Sequence, residues 1–355
     1  MRIANGLTGG LIMAVALTGG AIGQAPKAAL PPVKPALAPP PAPAPTPAVV
    51  AVDLKIMQIQ VILDHLGFSP GVVDGKTGRT FTLALTGFQK AQSLADTGMI
   101  DPKTAEALAK FGATAAVKDV ILSPADLAGP FVGPIPKKED QQAKLPSLGY
   151  SNPLEMLAER YHTTPATLIA LNSPDTKLAP GTTIKVPNVI TWVRDYPAAL
   201  PDAYKQTLAG LNIGSNQPQA AKLVVDKSDR SLSAYDAAGK LIAQFPVTTG
   251  SVHDPLPVGS WKVLGASYNP EFHFNPKLFW DAKKGEKKVT LPPGPNGPVG
   301  IVWLDLSKPH YGIHGTPEPR NIGRTESHGC IRMTNWDVGR LSLMVKPGTP
   351  AIFQP

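Results

Sequence analysis

From Leu54 onward the apolar positions recur mainly with helical spacing: Leu54, Ile56, Ile59, Leu63 and Leu66, with Gly67 where such a helix would stop. Pro70-Gly71 and Asp74-Gly75 mark turns. A second helix fits Thr80 to Gln92, with Phe81, Leu85 and Phe88 on one side, and Asp101-Pro102 can cap a third over Lys103 to Phe111. Residues 52–112 thus predict a small three-helix domain. After a Pro- and Lys-containing stretch, taken with residues 113–146 as a linker, Pro153 to Tyr161 and Pro165 to Leu171 read as two shorter helices. Leu178 to Pro187 then supplies a turn and a strand, giving a small α+β module over residues 147–188. Residues 189–220 read as a further linker. From residue 221 the period changes. Leu223-Val224-Val225-Asp226, Leu232 to Tyr235 and Leu241 to Thr248 read as short strands, with a turn at Asp236 to Lys240. This predicts a mainly-β sandwich over residues 221–355, with helix only near Trp336 to Val345.

The first fifty residues follow neither period. Arg2 gives a positive start, Leu7 to Ala21 is apolar with Gly and Thr interspersed, and small residues follow, with Gly23 and Ala25 placed for cleavage after Ala25. That is the layout of a signal peptide over residues 1–25, which predicts export to the periplasm or cell wall. An uncleaved anchor is the alternative, and only then would the chain contact a membrane. Residues 26–51 are rich in Pro and Ala, a composition that builds no core and favours an extended, semi-rigid spacer.

Composition narrows the partners. Of 355 residues 40 are proline, and the formal net charge is +8, which favours an anionic partner. The basic residues are scattered and no nucleic-acid module is present, so nucleic acid is not expected. No Gly-rich phosphate loop follows a strand, and no nucleotide or other cofactor is expected. His253, His273 and His310 match no usual zinc spacing, so no metal is expected either. His65 and His162 read as packing or surface residues. The single cysteine, Cys330, is unusual in an exported chain, where even numbers paired as disulfides are the rule.

Its neighbours give that cysteine a chemistry. It stands in Ser327-His328-Gly329-Cys330-Ile331-Arg332-Met333, downstream of Tyr311-Gly312-Ile313-His314-Gly315-Thr316. An ordinary thiol is mostly protonated at neutral pH, and a histidine within reach can take its proton, leaving a thiolate–imidazolium pair. If His314 ends one strand and Cys330 lies on the next, the two meet. In an extended chain His328 shares a face with Cys330. Gly329 permits close approach of a substrate backbone, and the amides around Gly329-Cys330 could bind an oxyanion. A Cys–His pair alone leaves a buried structural cysteine equally open.

The longer string resembles the L,D-transpeptidase (YkuD-type) catalytic domain: His314-Gly315-Thr316, Ile322-Gly323 and Ser327 to Met333, with Pro292 to Gly300 similar to the family's preceding loop, save that Gly297 stands where an Asn is frequent. That resemblance implies Cys330 as nucleophile, His314 as its base, and the Gly315 carbonyl orienting the imidazole. It also implies an oxyanion site shaped by His328 and Gly329, with Ser327, Arg332 and Asn335 supporting the loop or touching the substrate carboxylate. The implied reaction attacks a peptidoglycan stem tetrapeptide, expels D-alanine and passes the acyl group to a second stem as a 3→3 cross-link. Water as acceptor would make a carboxypeptidase, and a protein amine a protein-to-wall ligase. A non-catalytic wall-binding protein is the contrasting class. The segment Ala266 to Val299, long and set with aromatics, reads as a lid over the cleft.

Two further resemblances point to the wall as partner, through stem peptides as donor and acceptor and glycan strands held by the accessory modules. Leu66 to Gly71, Asp74-Gly75, Phe88-Gln89 and Thr97-Gly98 are similar to the peptidoglycan-binding-1 family. Leu168 to Asn172 with Leu178 to Pro187 resembles a LysM repeat whose opening strand and Gly-Asp turn are replaced by Tyr150-Ser151-Asn152-Pro153.

Overall fold

In the computed structural model residues 51–189 and 193–355 are described. The signal segment, and all but the last residue of the Pro/Ala stretch, lie outside them. No helix among the described residues is long and apolar enough to cross a membrane.

Three helices open the described chain: α1 (Leu54–His65), α2 (Arg79–Ala91) and α3 (Pro102–Ala109). Asp53 caps α1 by accepting from the Lys55 and Ile56 amides at 2.8 and 3.2 Å, and Asp101 caps α3 through the Thr104 amide at 2.8 Å. Two buried glutamines pin the turns. Gln60 accepts from the Asp74 and Gly75 amides and donates to the Lys76 carbonyl, and Gln89 does the same between Gly98 and Met99. Phe68, Phe81, Leu85 and Phe88 form the core between the helices.

The second module differs from its expected bounds. It opens with β1 (Val117–Ile121), passes through the single turn α4 (Glu139–Gln142), α5 (Pro153–Arg160) and α6 (Pro165–Leu171), and closes with β2 (Thr183–Pro187). Strands β1 and β2 pair antiparallel, Val120 opposite Ile184, around Leu157, Tyr161 and Leu168. Residues 113–146 are therefore not simply a linker, since they supply the opening strand. Residues 189–220 need the same correction. They include α7 (Asp202–Gly210), whose Tyr204 and Leu208 lie in the core of the carboxy-terminal domain, with the Tyr204 hydroxyl 2.7 Å from Ser342 Oγ.

That domain contains β3 (Lys222–Asp226), β4 (Ser231–Tyr235), β5 (Leu241–Pro246), β6 (Gly259–Tyr268), the hairpin β7 (Phe272–Phe274) and β8 (Val289–Leu291), then β9 (Val302–Leu306), β10 (Gly312–His314), β11 (Ile331–Arg332), α8 (Asn335–Met344) and β12 (Pro350–Gln354). Its main sheet has eight strands in the order β11-β10-β9-β6-β12-β3-β4-β5. A sandwich of two sheets was expected; one continuous sheet is found. It turns at β6, which pairs with β12 over Gly259 to Lys262 and with β9 from Val263 onward, with a register shift between Val263 and Gly265. Such a shift bends the strand, so a single sheet encloses Leu232, Phe245, Leu304, Ile331 and Phe353.

Helix α8, directly after the cysteine-bearing segment, is buried nearly all round although it carries Asn335, Asp337 and Arg340. The other modules satisfy these side chains. Asp64 of α1 accepts from the Arg340 guanidinium at 3.0 and 3.1 Å, and His162 places Nδ1 3.0 Å from the same carboxylate while Nε2 donates to the Leu211 carbonyl. The His162 ring stacks on Trp336 at 5.2 Å. Burial pushes the Asp64 pKa up, but Arg340 and His162 outweigh it and hold the group well below the usual carboxylate range. Removing one partner of such a pair typically costs about 3–5 kcal/mol, because a charge is left buried without compensation. Ser69 donates to Asp337 at 2.8 Å, and the chain at Gly67 to Ser69 hydrogen-bonds Gln244, closing the free edge of β5.

Candidate active site

Strands β10 and β11 run parallel, with Ile313 opposite Ile331 and His314 opposite Arg332. Alternate residues share a face of a sheet, so the fully buried isoleucines turn to the core, and His314 and Arg332 turn to the other side. Cys330 precedes β11 by one residue and lies level with Gly312. The Gly312 backbone amide faces its sulfur, and the thiol donates to the His310 carbonyl at 3.8 Å. Cys330, one residue ahead of β11, and His314, at the end of β10, thus stand at neighbouring positions of the sheet.

His314 is buried, its ring stacked on Trp303 at 5.3 Å. Its Nδ1 lies 2.7 Å from the Gly315 carbonyl. A carbonyl only accepts, so Nδ1 carries the proton and Nε2 is left as the basic nitrogen. Burial first, and then the Arg332 charge, lower its pKa to about 3, against the Gly315 hydrogen bond that raises it. Burial pushes the Cys330 thiol up, opposed by the Gly312 amide and Arg332. Burial thus outweighs the neighbouring groups at both residues and favours the neutral thiol and the neutral imidazole.

The loop before Cys330 departs from the extended chain that was expected. Gly329 has φ of +100°, and a Cβ there would stand 2.7 Å from Tyr311 Cε1. His328 and Cys330 therefore do not share a face by simple alternation. Instead His328 Nε2 lies 2.9 Å from Asp281 Oδ1 in the segment expected as a lid, and Phe279 meets its ring edge-on at 5.1 Å. Ser327 is buried and donates to the Cys330 carbonyl at 2.6 Å, closing the turn; its position supports the loop rather than a ligand. Asn335 does not face the cysteine. Its amide nitrogen donates to both Glu159 oxygens and to the Pro295 carbonyl, and it is fully buried, so substrate contact does not fit it. Arg332 is half-buried, feels the charges of Cys330 and Asp281, and has a buried Nε with no hydrogen-bond partner among the described residues.

Sequence reasoning missed Asp281, Tyr311 and Trp303. Tyr311 stands inside the recognised string, and Trp303 lies opposite His314 on the neighbouring strand β9, a pairing that the sequence does not announce. Asp281, among lysines, carried no signal.

Residues 220–353 match the YkuD family, described as the L,D-transpeptidase catalytic domain. Residues 53–108 match PG_binding_1, described as "Putative peptidoglycan binding domain". The chain is 33% identical over 134 residues to the "Putative L,D-transpeptidase YkuD" of Bacillus licheniformis, 38% of this chain and 66% of that one. It is 34% identical to its Bacillus subtilis namesake over 31% and 52%. The chain thus spans between half and two thirds of those relatives' own length. The NMR structure of the catalytic domain from an E. faecium L,D-transpeptidase aligns at 19% identity over 39% of this chain and 99% of that one, with a TM-score of 0.30.

Proposed function

We propose that this protein is an exported peptidoglycan L,D-transpeptidase that forms 3→3 cross-links through a thioester on Cys330. The observation that carries the reading is the Cys330–His314 arrangement, with the imidazole tautomer set by the Gly315 carbonyl. As Sγ attacks the stem-peptide carbonyl, Nε2 of His314 takes the thiol proton, and the imidazolium returns it to the departing D-alanine amine. The amides around Gly329 and Cys330 form the oxyanion site. Arg332, with its unpartnered Nε, receives the donor carboxylate. Acceptor amine then adds to the thioester carbonyl, the C–S bond breaks, and its proton passes through His314 to sulfur.

The accessory modules hold the wall. In the second of these, the strand–helix–helix–strand order with paired outer strands supports a LysM-like reading, in which Val117 to Ile121 is the opening strand and residues 122–152 are an insertion. Tandem attachment to one polymer raises the local concentration of stems at the cleft.

Incubation of the mature enzyme with a soluble disaccharide-tetrapeptide tests the reading. Release of D-alanine with a 3→3 dimer is expected. Release with tripeptide alone would make it a carboxypeptidase, and no release would refute acyl transfer from this donor.

A further inference from the structure

The segment over the cleft is fastened at few points. From 275 to 288 its hydrogen bonds are internal, with one exception among the described residues: Asp281 Oδ1 to His328 Nε2, at 2.9 Å. Aromatic contacts lie on either side of that bond. Phe279 meets the His328 ring at 5.1 Å, and Trp280 approaches it at 6.1 Å while stacking on His253 at 4.2 Å. His328 and His253 belong to the body of the domain, on the loops that flank Cys330 and Arg332. The Asp281 carboxylate also acts on Arg332, helping to keep that half-buried guanidinium charged.

We propose that Asp281 is a positioning residue that latches the lid to His328 and thereby directs the Cys330 acyl group to an amine acceptor instead of water. The proposal deepens the transpeptidase reading and rests on it. Two routes consume the thioester. In transfer, a neutral amine adds to the carbonyl, the C–S bond breaks, the amine proton returns to sulfur through His314, and an amide remains. In hydrolysis, water takes the amine's place and leaves a carboxylic acid, which ionises, beside the restored thiol. The two routes share Cys330 and His314, so selection between them depends on which nucleophile reaches the carbonyl. A lid tip held by one hydrogen bond and three ring contacts can shut out bulk water while leaving the far side of the cleft open to a second stem. Asp281 supplies the directional part of that hold. It also fixes the ring of His328, two residues before the nucleophile, through the one imidazole nitrogen it binds.

The test uses the full-length mature enzyme with the disaccharide-tetrapeptide as both donor and acceptor. Dimer, tripeptide and released D-alanine are quantified for the wild type, Asp281→Ala and Asp281→Asn. The dimer-to-tripeptide ratio is expected to fall at least about five-fold in Asp281→Ala, as water gains access. Asn can still accept from Nε2–H, so Asp281→Asn should recover part of the ratio; it also carries the test if the alanine variant does not fold. A ratio within about two-fold of the wild type in both variants, with D-alanine still released, overturns the proposal and spares the transpeptidase reading. Wild-type enzyme that releases D-alanine but forms only tripeptide overturns it as well. Wild-type enzyme that releases none overturns the reading beneath it. A purely structural role would lower the melting temperature and leave the ratio unmoved.

Discussion

At Cys330 the balance of burial against neighbouring dipoles and charge decides how the thiol responds to pH. Its pKa lies above the ordinary thiol value, so the thiolate fraction is small at neutral pH and grows about ten-fold per unit until that raised pKa is passed. His314 stays neutral down to about 3, so no charge change near the usual histidine range interrupts this rise. Alkylation of Cys330 by iodoacetamide should therefore climb steadily from about pH 6 to 9 with no inflection near 6.5. A rate already level across about pH 5 to 7 would indicate a resting thiolate–imidazolium pair instead. The participating residues were legible in the sequence, since Cys330, His314 and Gly315 stand in one recognisable string. Their protonation was not, because it depends on burial under Trp303 and on the Arg332 charge, both set by strand register. The side taken by His328 was misjudged for a local reason. Alternation holds only in extended chain, and Gly329 with φ of +100° breaks it.

Helices α1, α2, α3 and α8 were legible: they begin and end within two residues of the bounds read from the sequence. Strand β1 was not, because Val117 to Ile121 carries two charged residues and its partner lies beyond residue 180. The single curled sheet was missed because β6 pairs with two different neighbours, and nothing local in Gly259 to Tyr268 announces that. The contact between α5 and α8 yields a prediction at this scale. Burial raises the pKa of Glu159 to about 8, against hydrogen bonds from Tyr150 and Asn335 that lower it, so at neutral pH the folded protein holds a proton there. The unfolded chain releases that proton above its ordinary pKa. This contribution to stability is therefore complete below about pH 4 and declines as pH rises toward 8, by up to about 1 kcal/mol per unit. Glu159→Gln, which keeps a neutral amide in place of the protonated acid, should leave melting at pH 5 nearly unchanged and raise it at pH 8. A variant less stable than wild type at pH 8 would show that the carboxylate form is the one the contact needs.

Across the whole molecule, α8 ties the Cys330 segment to both preceding modules. Asp64 from the peptidoglycan-binding domain, His162 from the second module, and Arg340 from the helix behind Cys330 form one buried cluster. The sequence alone suggested modules strung on linkers. The chain instead docks them against the catalytic domain, and only long-range contacts such as Asp64–Arg340 reveal it. Docked modules hold the Cys330 loop at a set place relative to the helices of residues 53–108. Intact-mass spectrometry of the mature enzyme with the tetrapeptide donor, alongside Cys330→Ala and His314→Ala, tests acylation of Cys330. A thioester adduct is expected on the wild type, none on Cys330→Ala, and one forming about 100- to 10,000-fold more slowly on His314→Ala. An adduct on Cys330→Ala, or unslowed acylation of His314→Ala, would contradict that expectation.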